Sequence, residues 1–286
     1  MADFFNTPKE TVEKLIDVGK SKCDLSWHQT AILGFFAGAY IAFGAALATM
    51  VGNDLSKYLG VGMQKLVMGG VFSVGLMLVV IAGAELFTGN NLIVVSACTG
   101  HSKWSRLVRN WFWVYVFNFV GAIFLVWLIF ASGLWKVNDY NVGVFALKIA
   151  ASKTSLGFLE AMTRGILCNW LVCLAVIMAI ASKNVVGKIF GIFFPITAFV
   201  ASGFEHSVAN MYFIPIGLFM KTQQTVVQAA NLSGGKLGNL TFFGGFLWRN
   251  LVPVTIGNII GGAFFVSFLY FVALKPHKSC EFEAKK

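Results

Sequence analysis

Apolar positions in this chain run in long stretches and do not alternate on a period of two, a pattern that predicts helices and no sheet. Six stretches stand out, at about 30–51, 64–98, 108–131, 157–181, 185–220 and 247–273. Each reaches the roughly 20 residues a helix needs to cross a bilayer core. The second and fifth are too long for one crossing, and each contains a short polar interruption. These interruptions are Gly83-Ala84-Glu85-Leu86-Phe87-Thr88-Gly89-Asn90 and Gly203-Phe204-Glu205-His206-Ser207-Val208-Ala209-Asn210. Both read Gly-x-Glu-x-x-x-x-Asn, 120 residues apart. A buried carboxylate and a broken backbone are costly in lipid. Meeting that cost twice predicts an inverted repeat in which the second and fifth helices are each two half-helices, with a transport pathway at the breaks.

A second internal match supports the repeat. Arg109-Asn110 with Asn118, Gly121 and Ala122 recurs as Arg249-Asn250 with Asn258, Gly261 and Gly262, at an offset of 140 throughout. Gly34 and Gly165 add a weaker match between the first and fourth stretches. An odd number of crossings per unit turns the second copy upside down. The expected organisation is one all-α integral membrane domain over residues 1–286. It comprises a cytoplasmic amphipathic segment (1–29), a first three-helix repeat (30–131), an outer connection (132–156), a second, inverted repeat (157–273) and a cytoplasmic tail (274–286).

Composition changes little in that picture. The chain is 57% hydrophobic and 12% charged, against about 25% charged in a soluble domain. Net charge is +10. With the N-terminus inside, Lys9, Lys14, Lys20, Lys22, Lys103, Arg106 and Arg109 fall on the cytoplasmic side together with the tail lysines Lys275, Lys278, Lys285 and Lys286, as the positive-inside rule asks. The opposite face is basic too, through Lys57, Lys65, Lys136, Lys148, Lys153 and Arg164, and positive mouths concentrate anions. The basic residues are dispersed, so nucleic-acid binding has no support. Trp104, Trp111, Trp113, Trp127, Trp135 and Trp248 sit near expected span ends, as an interfacial belt would place them. The five cysteines (Cys280 among them) and four histidines (His28, His101, His206, His277) are scattered. No metal site, cofactor pocket or catalytic set is expected, and the chain reads as a transporter rather than an enzyme.

Three motifs in order carry a resemblance: Glu85-Leu86-Phe87-Thr88-Gly89-Asn90, Cys168-Asn169-Trp170-Leu171-Val172-Cys173-Leu174-Ala175, and Gly203 to Met211. Together they resemble the formate/nitrite transporter family over essentially the whole membrane domain. The resemblance implies an aquaporin-like six-helix protomer, a homopentamer in the plasma membrane, and a pore through each protomer for a small weak-acid anion: formate first, with nitrite or hydrosulfide as the alternatives. His206, Thr88 and Asn169 would form the centre of the pathway. Phe72, Leu76 and Phe199 would be the cytoplasmic constriction, and Leu86, Phe87 and Val172 the outer one. Lys153, with Lys148 as second choice, would draw anions into the outer vestibule. Glu85, Glu205, Asn90 and Asn210 are read as supports of the breaks, the carboxylates accepting hydrogen bonds from freed backbone groups.

The expected chemistry follows from cost. A charge at the bilayer centre costs from about 2.5 to more than 10 kcal/mol, and protonating a weak acid removes that cost. The proton would come from His206 or from bulk water through it, with the half-helix N-termini steadying the anion. A neutral-solute channel of the aquaporin type shares the half-helix plan, but Asn90 is followed by Asn91 and Asn210 by Met211, so the paired Asn-Pro-Ala signature is missing.

Overall fold

A computed structural model describes residues 5–274. The expected tail lies outside them beyond its first residue, as do Lys275, His277, Lys278, Cys280, Lys285 and Lys286. The described residues are helical almost throughout, and six helices are long and apolar enough to cross a membrane.

The chain opens with α1 (Pro8–Cys23), an amphipathic helix as expected. Its N-terminus is fixed by a capping box in which the Thr7 N–H donates to Glu10 Oε2 at 2.7 Å and Thr7 Oγ accepts from the Glu10 N–H. Thr11, Val12, Leu15, Ile16, Gly19 and Cys23 form its buried face. Next come α2 (Trp27–Gly52) and α3 (Ser56–Gly83), which is kinked at Gly60. After an extended step, α4 (Phe87–Cys98) completes the second span. The third span is α5 (Trp104–Ala131), and α6 (Asn141–Lys153) lies in the expected outer connection. The second half follows with α7 (Phe158–Ala181), α8 (Val185–Ser202), α9 (Ser207–Lys221), the short α10 (Gln224–Ala230) and α11 (Gly234–Asn239), and α12 (Phe242–Leu274).

Both long segments break where the polar interruptions fall. Gly83 and Gly203 end α3 and α8 with φ of 92° and 76°, a left-handed turn that a side chain would strain. Leu86 and His206 are extended, with φ/ψ of −104°/123° and −112°/116°. At each break one asparagine takes up a freed N–H and a freed carbonyl and anchors them to a neighbouring helix. The Asn118 carboxamide accepts from the Phe87 N–H at 2.9 Å and donates to the carbonyls of Gly34 and Glu85, both at 2.8 Å. Asn258 repeats this with the Ser207 N–H at 2.9 Å, Gly165 at 2.8 Å and Glu205 at 3.0 Å. The weak match of Gly34 with Gly165 thus becomes a structural one.

Pairs α2/α5 and α7/α12 pack at backbone distance. A Cβ on Gly121 would stand 1.9 Å from the Phe35 carbonyl, and one on Gly261 would stand 2.3 Å from that of Ile166. The repeat is also larger than three helices, because α1 is the counterpart of α6. The two lie at opposite ends of the bundle, α1 beside the start of α2 and α6 beside its end, where Phe145 faces Gly52. The tryptophan belt is only partly present. Trp104, Trp127 and Trp248 are exposed, whereas Trp135 is buried and the Trp111 indole donates to the Asn90 carbonyl at 2.8 Å.

Candidate functional site

The site is built on the second break. His206 is the N-cap of α9: its Nδ1 accepts from the Ala209 N–H at 3.0 Å. A ring nitrogen that accepts carries no proton, so the neutral imidazole holds its proton on Nε2. Nε2 lies 2.9 Å from Thr88 Oγ, brought there by the first turn of α4. The two half-helices therefore meet through one ring N–H and one hydroxyl, with the hydroxyl's own hydrogen free to turn elsewhere. His206 is 2% exposed and Thr88 is fully buried.

Asn169 does not reach the ring. Its carboxamide Nδ2 donates to the Thr88 carbonyl at 3.2 Å, to Asn91 Oδ1 at 2.8 Å and to the Asn258 carbonyl at 2.7 Å, so it ties α7 to α4 and α12 behind Thr88.

A cavity of about 390 Å³ leads from one end of the bundle to His206. Lys148 and Lys153 on α6, Lys65 on α3 and Arg164 on α7 line it, together with Phe72 and Phe199. Those two phenylalanines meet edge to face with centroids 5.7 Å apart, and Phe199 stacks on the imidazole at 5.9 Å. Lys153 Nζ lies 2.8 Å from Glu205 Oε1 and 5.3 Å from the centroid of Phe213. The other carboxylate oxygen of Glu205 accepts from Asn210 Nδ2 at 2.7 Å and Asn250 Nδ2 at 3.1 Å.

The first break mirrors this arrangement at the α1 end. Lys22 Nζ lies 2.6 Å from Glu85 Oε1, and Glu85 Oε2 accepts from Asn90 Nδ2 at 2.7 Å. Asn90 also donates to Asn110, just as Asn210 donates to Asn250. The supports of the breaks are therefore these amide and ammonium groups. The carboxylates accept from side chains, not from freed backbone N–H groups: those of Phe87 and Ser207 go to Asn118 and Asn258, and those of Glu85 and Glu205 to the Leu33 and Arg164 carbonyls.

Two expectations need correction. The sequence reading puts Phe72 and Phe199 at the end opposite Lys153, but they share its cavity, so this aromatic pair guards the mouth that Lys153 guards. Leu86 and Phe87 sit at the α1 end, where Phe87 packs against Trp111 and Tyr115 near the start of α5. Leu76 follows Phe72 one turn down α3, and Val172 follows Asn169 one turn toward the end of α7 that holds Asn6 through Ile180 and Ala181. The reason is chain direction: α3 runs from the α6 end toward the first break, so Phe72 is met before Leu76 and before the break on that path. The second correction is Lys22, which sequence reasoning left among the charges of an amphipathic helix. It stands 131 residues before Lys153, the offset already separating Gly34 from Gly165, and that shared offset was the available signal.

A family model described as Formate/nitrite transporter matches residues 9–272. The chain belongs to the formate/nitrite transporter family. A probable formate transporter of Methanothermobacter thermautotrophicus is 43% identical over 285 residues, spanning 94% of this chain and 97% of that protein. The formate channel FocA of Escherichia coli (strain K12) is 40% identical over 248 residues, 85% of this chain and 86% of its own. Among solved structures, a pentameric formate channel with formate bound aligns with a TM-score of 0.79 at 35% identity, covering 86% of this chain and 96% of that one. This family member is thus a multi-pass membrane transporter with the aquaporin-like inverted repeat. His206, Thr88 and the two Glu–Lys pairs are the polar chemistry at the breaks of its two split helices.

Proposed function

We propose that this family member moves formate across the plasma membrane through each protomer of a homopentamer, with both termini cytoplasmic and the Lys153 cavity on the outer face. One observation carries the reading: a basic cavity closed by Phe72 and Phe199 ends on the His206–Thr88 pair. The formate transporters and channels that the chain resembles point to the substrate, and the pentameric relative to the assembly.

Lys153 and Lys148 raise the anion's concentration at the mouth. Because Glu205 compensates Lys153, the anion is drawn without being trapped. At the bottom of the cavity the acid leaves water for an aromatic floor, where an anion costs several kcal/mol and its neutral acid does not. The ring has no vacant acceptor for a second proton, so the neutralising proton comes from cavity water. His206 Nε2–H and the Thr88 hydroxyl orient the acid, and Asn169 holds Thr88 in place. Leu76, Leu86, Phe87 and Val172 form the second apolar ring, which the neutral acid crosses toward Lys22 and Glu85. A side-by-side flux assay in proteoliposomes with labelled formate, nitrite, hydrosulfide and lactate tests the substrate. Formate should be fastest, and a faster nitrite or hydrosulfide flux would reassign the protein within its family. Water or glycerol flux exceeding all four would instead favour the neutral-solute channel. Native mass measurement should give five chains.

A further inference from the structure

The Lys153 cavity is far larger than a three-heavy-atom anion needs. Its volume of about 390 Å³ falls in the roughly 300–1,000 Å³ range of sites for organic ligands. The walls between rim and floor are apolar, formed by Met68, Phe145, Ile149, Phe204 and Phe213. Two of its cations have no carboxylate to answer them: among the described residues, Lys153 pairs with Glu205 and Arg164 with Glu160, while neither Lys65 nor Lys148 has an ion pair. The floor is the Phe72–Phe199 contact at 5.7 Å.

We infer that this cavity binds an amphiphilic monoanion, its head on Lys65 and Lys148 and its apolar body along Phe145 and Phe213, and that such a ligand plugs the mouth because it cannot pass the phenylalanine pair. The inference rests on the reading of the cavity as the substrate's mouth. A small hydrated anion gains only the rim charges. An anion with an alkyl body also removes methylenes from water, each worth a factor of about three to four in affinity.

Linear alkyl sulfonates are suitable probes, because they stay charged and do not cross the bilayer as neutral acids. Ethane-, butane-, hexane- and octanesulfonate are added to one face or the other of protein-containing bilayers at constant ionic strength, and labelled formate flux is followed. Inhibition is expected from the Lys153 face alone, competitive with formate, strengthening about three- to fourfold per methylene until the chain fills the cavity. Lys65→Gln should weaken it severalfold, and Phe145→Ala should flatten the chain-length series, each scored against that variant's own uninhibited flux. Equal inhibition from both faces, or potency independent of chain length, overturns the inference. Absence of formate flux before any sulfonate is added would instead overturn the transport reading, so the two failures are distinct.

Discussion

At the residue scale, His206 does two jobs with its two nitrogens. Nδ1 caps α9 and Nε2 meets Thr88. Replacement by asparagine retains a capping oxygen, whereas alanine does not. His206→Ala should therefore unfold at lower temperature than His206→Asn by an amount matching a lost N-cap, about 1 kcal/mol. Equal melting of the two variants would show that Nδ1 contributes no cap. Flux separates the other nitrogen: both variants should transport more slowly at every pH and still accelerate toward acid, because the proton comes from water. A variant whose flux no longer responds to pH would make the ring itself the proton source. Glu205 offers a second residue-scale test, for it is buried against Lys153 with two amides on its free oxygen. Removing one partner of a buried pair leaves the other uncompensated, so Glu205→Ala should cost about 3–5 kcal/mol in thermal unfolding. A loss below 1 kcal/mol would mean that water already screens Lys153.

At the scale of elements, the decisive feature is that a single asparagine closes each break. Asn118 bonds two backbone groups that the break leaves free, the Phe87 N–H and the Glu85 carbonyl, and adds the Gly34 carbonyl of α2; Asn258 repeats this with the Ser207 N–H, the Glu205 carbonyl and the Gly165 carbonyl of α7. Asn118→Ala or Asn258→Ala should each cost about 3–5 kcal/mol, since every orphaned buried group contributes roughly 1–3 kcal/mol. Asn118→Asp, which keeps the acceptor but sets a buried carboxyl against the Gly34 and Glu85 carbonyls, should cost at least as much as alanine. The breaks, the half-helices and the offset-140 partners were legible in the sequence because intramembrane polarity is rare and repeated spacing leaves a mark. The roles of the partners were not. An asparagine on a helix reads alike whether it lines a pore or ties three helices together: the Asn169 amide nitrogen ties α7 to α4 and α12, while its buried Oδ1 has no hydrogen-bond partner among the described residues. The end of the molecule a phenylalanine guards depends on where a long helix starts, and the span at 64–98 gave no hint that α3 begins at Ser56. Lys22 was hidden because α1 and α6 share no motif, only an offset.

At the scale of the whole molecule, the Lys22–Glu85 and Lys153–Glu205 pairs make two polar mouths related by the inverted repeat, with His206 between them and nearer the second. Leu86 stands at the first break where His206 stands at the second, so the chemistry of the two halves differs while their architecture matches. Lys22→Met and Lys153→Met should each slow formate entering from their own face more than from the other, a difference that flux measured in both directions would reveal. The most direct test of the account is labelled formate flux through the native protein in proteoliposomes between about pH 5 and pH 8. Crossing as the neutral acid requires flux to climb steeply as pH falls, following a protonated fraction that grows about tenfold per unit while the acid is mostly ionised. A flux that stays level across that range would contradict it.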